Sequence, residues 1–93
     1  MVNAIILLTV ERDKINSVAE SVAATPGVTE VFSVGGRFDL VAIIRVKTNE
    51  RLADLVTGQL LRTEGIRSSE RLIAFKAYSK HDIEGMFSIG MDD

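Results

Sequence analysis

A chain of 93 residues is long enough for only one small domain, which excludes a multi-domain enzyme. With 11 Lys and Arg against 13 Asp and Glu, the formal net charge is -2, so nothing in the charge favours direct binding to nucleic acid. Because cysteine is absent and there is only one histidine, disulfides, cysteine nucleophiles and metal sites built from several thiolates or histidines are excluded. The hydrophobic fraction of 46% is high for so small a domain and predicts apolar surface that needs covering.

The sequence contains no segment of the kind that enters or crosses a membrane. No apolar run approaches the roughly 18–20 residues that would span a bilayer. The apolar N-terminal run, residues 2–8, is short and leads directly into Glu11, Arg12 and Asp13, without the features of a signal peptide. We therefore expect a soluble, cytoplasmic protein.

An internal repeat organises the chain. A shift of 38 residues places Ala4-Ile5-Ile6 on Ala42-Ile43-Ile44, and Thr25-Pro26-Gly27-Val28 on Thr63-Glu64-Gly65-Ile66. The same shift superposes two further apolar pairs, Val18 on Val56 and Val22 on Leu60. The two halves are therefore predicted to be two copies of one structural unit.

The first unit is predicted to be strand, helix, strand. Val2–Val10 is a nearly continuous apolar run, which is typical of a strand buried on both faces. A helix is predicted from Asp13, as its N-cap, to Ala24, and Pro26-Gly27 ends it. Its apolar stripe consists of Ile15, Val18, Ala19, Val22 and Ala23. The second strand is marked by Val28, Val31, Phe32 and Val34.

The second unit repeats this design. Leu40–Val46 is the next apolar strand, and Thr48 or Asn49 caps a helix that Gly65 ends, with Gly58 as a weak point inside it. The apolar stripe of this helix consists of Leu52, Leu55, Val56 and Leu60. The last strand is marked by Ile66, Leu72, Ile73, Phe75 and Ala77.

The order of elements predicts an α+β fold of the ferredoxin-like βαββαβ type, with a four-stranded antiparallel sheet and two helices on one face. Gly35-Gly36-Arg37-Phe38-Asp39 forms the hairpin turn between the middle strands. The first and third strands, which are the most apolar, take the centre of the sheet. We expect this domain to span residues 1–80, followed by a C-terminal tail, residues 81–93, that docks on the domain or on a neighbouring subunit.

Two helices cover only one face of such a sheet, and the central strands are apolar on both faces. A monomer would expose a contiguous apolar patch larger than monomers usually tolerate. We therefore expect an obligate homo-oligomer. The alternative is that the segment Ser79–Asp93 folds over the open face.

The residues that carry this pattern resemble the effector-binding (RAM) domain of Lrp/AsnC transcription regulators. The resemblance rests on Gly27-Val28, on the hairpin and the strand that follows it, residues 34–46, and on Gly65-Ile66, and it covers nearly the whole chain. It implies a domain that dimerises through its sheet, assembles into octamers and binds amino acids between dimers. Because Met1 is followed at once by the first strand, the sequence resembles a stand-alone form without the family's helix-turn-helix, although a truncated regulator fits as well.

The turn Gly36-Arg37-Phe38-Asp39 fits the family's Gly-x-Tyr/Phe-Asp pattern, and the resemblance places the effector site there. A free amino acid needs an acceptor for its ammonium group, which Asp39 provides, and donors for its carboxylate, which backbone N–H groups at Gly35 and Gly36 provide. Arg37 and Ser33 are further candidates. The purely structural alternative is that the glycines permit a tight turn and Asp39 caps it locally. Arg67, Ser68, Ser69 and Glu70 are candidates for a second wall of the site, or simply an exposed edge strand.

Function is therefore predicted to be regulatory rather than enzymatic, with no cofactor and no metal. The effector is expected to act through oligomer assembly or through a DNA-binding relative that carries a helix-turn-helix. The alternatives are the amino-acid-binding ACT type of domain and a small dimeric ferredoxin-like barrel enzyme of the monooxygenase or isomerase type. A hydrolase triad from Ser79 or Ser88 with His81 and Asp82 is disfavoured because no nucleophile elbow surrounds either serine.

Overall fold

The computed structural model of the chain describes residues 1–78. The elements are, in chain order, strand β1 (Val2–Val10), a 3-10 turn (Arg12–Lys14), helix α1 (Ile15–Ala23), strand β2 (Val28–Ser33), strand β3 (Leu40–Val46), helix α2 (Asn49–Leu55), a π-helical turn (Val56–Leu60) and strand β4 (Ile66–Ala74). This order confirms the predicted βαββαβ arrangement. The tail predicted at residues 81–93 lies outside the described residues, so the boundary between domain and tail stays a prediction.

The four strands form one antiparallel sheet in the order β2-β3-β1-β4. Strand β1 pairs with β3 from Val2 opposite Val46 to Leu8 opposite Leu40. On its other side β1 pairs with β4, from Asn3 opposite Ala74 to a register shift between Thr9 and Val10. The two most apolar strands therefore occupy the centre, as predicted, and their bounds are those expected from the apolar runs.

Alternate residues of the central strands face the helices and form the core. Because side chains alternate along a strand, every second residue of β1 and β3 points to the same side. The helices contribute the stripes that their spacing predicts. The buried core consists of Ala4, Ile6, Leu8 and Val10 of β1, Leu40, Ala42 and Ile44 of β3, Val18 and Val22 of α1, and Leu52, Leu55, Val56 and Leu60 of α2 and the π-helical turn.

The internal repeat is visible in the backbone. Gly27 and Gly65, which correspond under the 38-residue shift, have φ angles of +99° and +104° and each precede a strand. A Cβ at Gly27 would lie 2.7 Å from Leu55 Cδ1, and a Cβ at Gly65 would lie 2.9 Å from Val18 Cγ2. Each glycine therefore permits both a left-handed backbone and the close approach of a core side chain.

The helices differ in two respects from the sequence prediction. Asp13 does not cap α1: it lies inside the 3-10 turn, and neither that turn nor α1 has a side-chain cap. The cap of α2 is Thr48, whose Oγ1 accepts a hydrogen bond from the Arg51 N–H at 3.0 Å, as the prediction allowed. After Leu55 the helix widens into the π-helical turn that contains Gly58, which lacks the side chain that would favour a regular α-helix.

The outer strands are shorter than their apolar markers suggested. Val34 lies just outside β2, although its N–H donates to the carbonyl oxygen of Asp39 at 3.0 Å. Phe75 and Ala77 lie beyond the end of β4. Phe75 is fully exposed, so its hydrophobicity does not reflect pairing within the sheet.

Candidate functional site

The turn between β2 and β3 is an open hairpin at one end of the sheet. Gly36 has a φ of +120°, which requires glycine, whereas Gly35 has no such requirement. A Cβ at either position would meet no other atom within 4 Å. Within residues 1–78, the N–H groups of Gly35 and Gly36 donate to no protein oxygen, so they are free to bind a carboxylate.

Asp39 anchors this hairpin to the end of β1. Its N–H donates to the carbonyl oxygen of Leu8 at 2.8 Å, and its Oδ2 accepts a hydrogen bond from the N–H of Val10, also at 2.8 Å. The carboxylate is half-buried, and Val10 itself is buried. Strand β3 begins only at Leu40, and the Asp39 carboxylate provides the acceptor for the Val10 N–H. Asp39 therefore has a structural role: it links two distant segments rather than capping its own turn.

The second carboxylate oxygen, Oδ1, has no hydrogen-bond partner among the described residues. A carboxylate offers about four lone-pair positions, and the Val10 N–H occupies one of them. Asp39 can therefore hold the hairpin and still accept a hydrogen bond from an ammonium group. The structural and the ligand-binding interpretations of Asp39 are compatible.

Arg37 and Phe38 form the rim of the hairpin. The Arg37 guanidinium carbon lies 5.6 Å from the centre of the Phe38 ring, which is cation–π distance. Arg37 is exposed and Phe38 is half-buried. The ring therefore helps to orient the positive charge of Arg37 at the hairpin.

Within one chain, the structure does not bring all the predicted site residues together. Ser33 ends β2 opposite Leu40, on the side of the sheet that faces the helices. Residues 67–70 belong to β4, which pairs with β1 on the side opposite the hairpin, so β1 lies between Asp39 and these residues.

The sheet face opposite the helices is apolar and uncovered within residues 1–78. Two rows of neighbouring residues cross it, and each row combines three apolar side chains with one glutamate at an edge. The first row is Glu30, Ile43, Ile5 and Leu72, and the second is Phe32, Val41, Leu7 and Glu70. Phe32 is 48% exposed and Leu72 is 45% exposed, which is unusual for large apolar side chains placed beside further apolar residues.

Sequence reasoning missed the end of β1 as part of this site. Val10 is 29 residues from Asp39, so no local spacing could have paired them.

The serines, histidine and aspartate of the disfavoured hydrolase triad, Ser79, His81, Asp82 and Ser88, lie outside the described residues. No helix within residues 1–78 is both long enough and apolar enough to cross a membrane.

The described residues form a ferredoxin-like domain with an open apolar sheet face and a Gly-x-Phe-Asp hairpin between its middle strands. The sequence profile of the Lrp/AsnC ligand-binding domain matches residues 3–83. The chain therefore belongs to the Lrp/AsnC ligand-binding domain family.

Comparison with solved structures finds proteins of the same fold. The protein TTHA0845 from Thermus thermophilus is 40% identical, with a TM-score of 0.81, and the match covers 86% of this chain and 100% of that protein. Escherichia coli AsnC shares the fold at 17% identity and a TM-score of 0.77, over 82% of this chain and 52% of AsnC. A transcriptional regulator from Neisseria meningitidis, solved as a complex with L-methionine, shares it at 20% identity and a TM-score of 0.76, over 84% of this chain and 52% of the regulator.

The chain thus spans about half the length of these two regulators and the whole length of the Thermus protein. A comparison with curated proteins found no match. Because both regulators are less than 25% identical, their similarity shows a shared fold.

Proposed function

We propose that this chain is a non-enzymatic effector-binding domain that binds a free amino acid at the hairpin formed by residues 33–39. Binding takes place between subunits of a homo-oligomer, a dimer that assembles further to an octamer. The ligand changes the assembly or its association with a relative that carries a helix-turn-helix, and so regulates transcription without direct contact with DNA. The protein acts in the cytoplasm.

The observation that carries this proposal is that several hydrogen-bonding groups of the hairpin have no partner within residues 1–78. In this part of the chain, the N–H groups of Gly35 and Gly36 donate to no protein oxygen, and one oxygen of Asp39 accepts no hydrogen bond. The guanidinium of Arg37 adds a positive charge to the hairpin. Two donors for a carboxylate and one acceptor for an ammonium group are what an amino acid requires. The L-methionine bound by the Neisseria regulator belongs to the same ligand class.

The open sheet face supports the homo-oligomer. Its six apolar side chains form one continuous surface, and the glutamates lie at opposite edges of the sheet, in β2 and β4. A two-fold axis would bring two such surfaces together and remove both from water. It would also set residues of two chains side by side, which a site built from more than one chain requires.

The ligand site is tested by titrating the full chain with each of the twenty amino acids in a calorimeter. For the amino acid that binds, Asp39→Asn should raise the Kd by about 10- to 100-fold, because a charge-assisted hydrogen bond of about 1.5–3 kcal/mol is weakened. The new amide can still accept from the Val10 N–H, so the hairpin stays in place. Asp54→Asn, an exposed aspartate on α2, is the matched control and should leave the Kd unchanged. Equal affinity of both variants would remove Asp39 from the site.

The oligomer is tested by placing a charge on the open face. Phe32 and Leu61 have the same exposure, 48%, but only Phe32 lies on that face. In light scattering after size exclusion, Phe32→Asp should lower the mass to that of the monomer, whereas Leu61→Asp should leave it unchanged. A monomeric wild-type chain, or an oligomer that survives Phe32→Asp, would contradict association through this face.

A further inference from the structure

The helix layer leaves one part of its own face of the sheet uncovered. Ile73 of β4 pairs with Ala4, so both side chains point toward the helices. Ala4 is fully buried, but Ile73 is 47% exposed, and Phe75, which follows two positions later, is completely exposed. Within residues 1–78, the helix layer therefore leaves these two side chains uncovered.

The result is a groove between α2 and β4. It has a volume of about 370 Å³ and is lined by Asn49, Leu52, Ala53 and Val56 on the helix side and by Arg71 and Ile73 on the strand side. Four of these six residues are apolar, and none of the six is a carboxylate. Arg71 gives its wall a positive charge.

The chemistry of the chain's own C-terminal segment is complementary to this groove. Residues 79–93 contain one lysine and four acidic residues, a formal charge of -3, which suits a groove whose one charged lining residue is Arg71. Among these acidic residues they carry the apolar side chains Ile83, Met86, Phe87, Ile89 and Met91.

The topology places the end of β4 at the mouth of the groove. Strands β3 and β4 both run antiparallel to β1, so they end at the same side of the sheet, and α2 begins immediately after β3. The chain therefore leaves β4 beside the first turn of α2, one residue after Ile73. Eight residues separate Tyr78 from Met86 and can span up to about 26 Å, whereas the regular part of α2 is only about 10 Å long. At so short a tether, binding within the molecule is favoured over binding to another copy.

We propose that residues 79–93 fold back onto their own molecule and dock in the groove between α2 and β4, with Met86 and Phe87 against Ala53 and Ile73. The docked segment covers Ile73 and extends the helix layer over the edge strand, while Glu84 lies near Arg71. It leaves the open sheet face free for association between subunits. This inference does not depend on amino-acid binding at the hairpin.

The absence of native cysteines permits a direct test in the full chain. The pair Ala53→Cys and Met86→Cys should form an intramolecular disulfide under mild oxidation, because docking brings the two positions to bonding distance. The matched control is Asp54→Cys with Met86→Cys: Asp54 is adjacent in sequence but lines a different cleft, on the other flank of α2. The first pair should cross-link at least about tenfold faster than the control. Both substituted helix positions are exposed, so the fold tolerates them.

A third substitution tests whether the groove itself is responsible. Ile73→Ser, added to the pair at positions 53 and 86, removes the apolar contact without emptying the core and should slow cross-linking toward the control rate. Equal rates for the two cysteine pairs would overturn the proposal. So would cross-linking between chains when the single variants Ala53→Cys and Met86→Cys are mixed, because the occupant would then be a neighbouring copy.

Discussion

Replacing Asp39 by alanine should destabilise the domain even without ligand. The carboxylate accepts the N–H of Val10 at 2.8 Å, and because Val10 is only 4% exposed, its N–H is poorly placed to find water in exchange. Loss of a hydrogen bond to a charged acceptor costs about 1.5–3 kcal/mol. Asp39→Asn keeps an oxygen acceptor and loses only the charge, so it should cost about 1 kcal/mol. The expected order of stability is wild type, then Asp39→Asn, then Asp39→Ala.

Urea denaturation followed by circular dichroism measures this order. At a typical m value of about 1–3 kcal/mol per molar urea, Asp39→Ala should lower the midpoint by about 1 M. All three proteins must be compared at one chain concentration, because association between chains raises the apparent stability. If Asp39→Ala costs less than about 0.5 kcal/mol, the link between the hairpin and the end of β1 is not a significant interaction and the structural role assigned to Asp39 is wrong.

Three further predictions concern the fold. In urea denaturation, Gly27→Ala should lower the free energy of unfolding by about 2–5 kcal/mol, since it combines a left-handed backbone with overpacking of the core. Gly35→Ala, whose added Cβ meets no neighbour, should be neutral or slightly stabilising. Similar losses of stability in the two variants would contradict this. Thr48→Ala should cost about 1 kcal/mol by loss of the α2 cap, and an unchanged midpoint would show the cap to be unimportant. The hydrogen bond from Lys14 to Glu64 raises the Lys14 pKa above its ordinary value of 10.5. The contribution of this ion pair to stability is therefore complete below pH 10.5 and is lost as the pH rises through the raised pKa. Thermal melts of Glu64→Gln should lack this alkaline loss.

The strands could be predicted from the sequence because their signals are local. Val2–Val10 and Leu40–Val46 are bounded apolar runs, and the structure gives them those same bounds. The internal repeat then determined the order of elements, and Gly27 and Gly65 marked corresponding turns. The start of α1 was predicted wrongly because Asp13 satisfies the local rule for a cap, whereas the chain first forms a 3-10 turn that places it inside a helical segment.

The hairpin proposed as the site could be located from the sequence, but its geometry could not. The turn pattern identified residues 35–39 as a turn, because glycine and aspartate are typical of such turns. The contact between Asp39 and Val10 depends on the register of two strands, which no short motif contains. The exposure of Ile73 could not be predicted either, since an apolar residue in a predicted strand gives no sign of whether a helix covers it.

Binding of an amino acid to an assembly of this domain can be tested by a thermal-shift screen of the full chain against the twenty amino acids, with light scattering on every sample. We expect a wild-type mass above that of the monomer and a selective rise in melting temperature for one amino acid or a few related ones, since a ligand that binds only the folded assembly stabilises it. If none of the twenty changes the melting temperature of an intact oligomer, the proposed amino-acid binding is wrong, and the search moves to other metabolites and to the barrel-enzyme alternative.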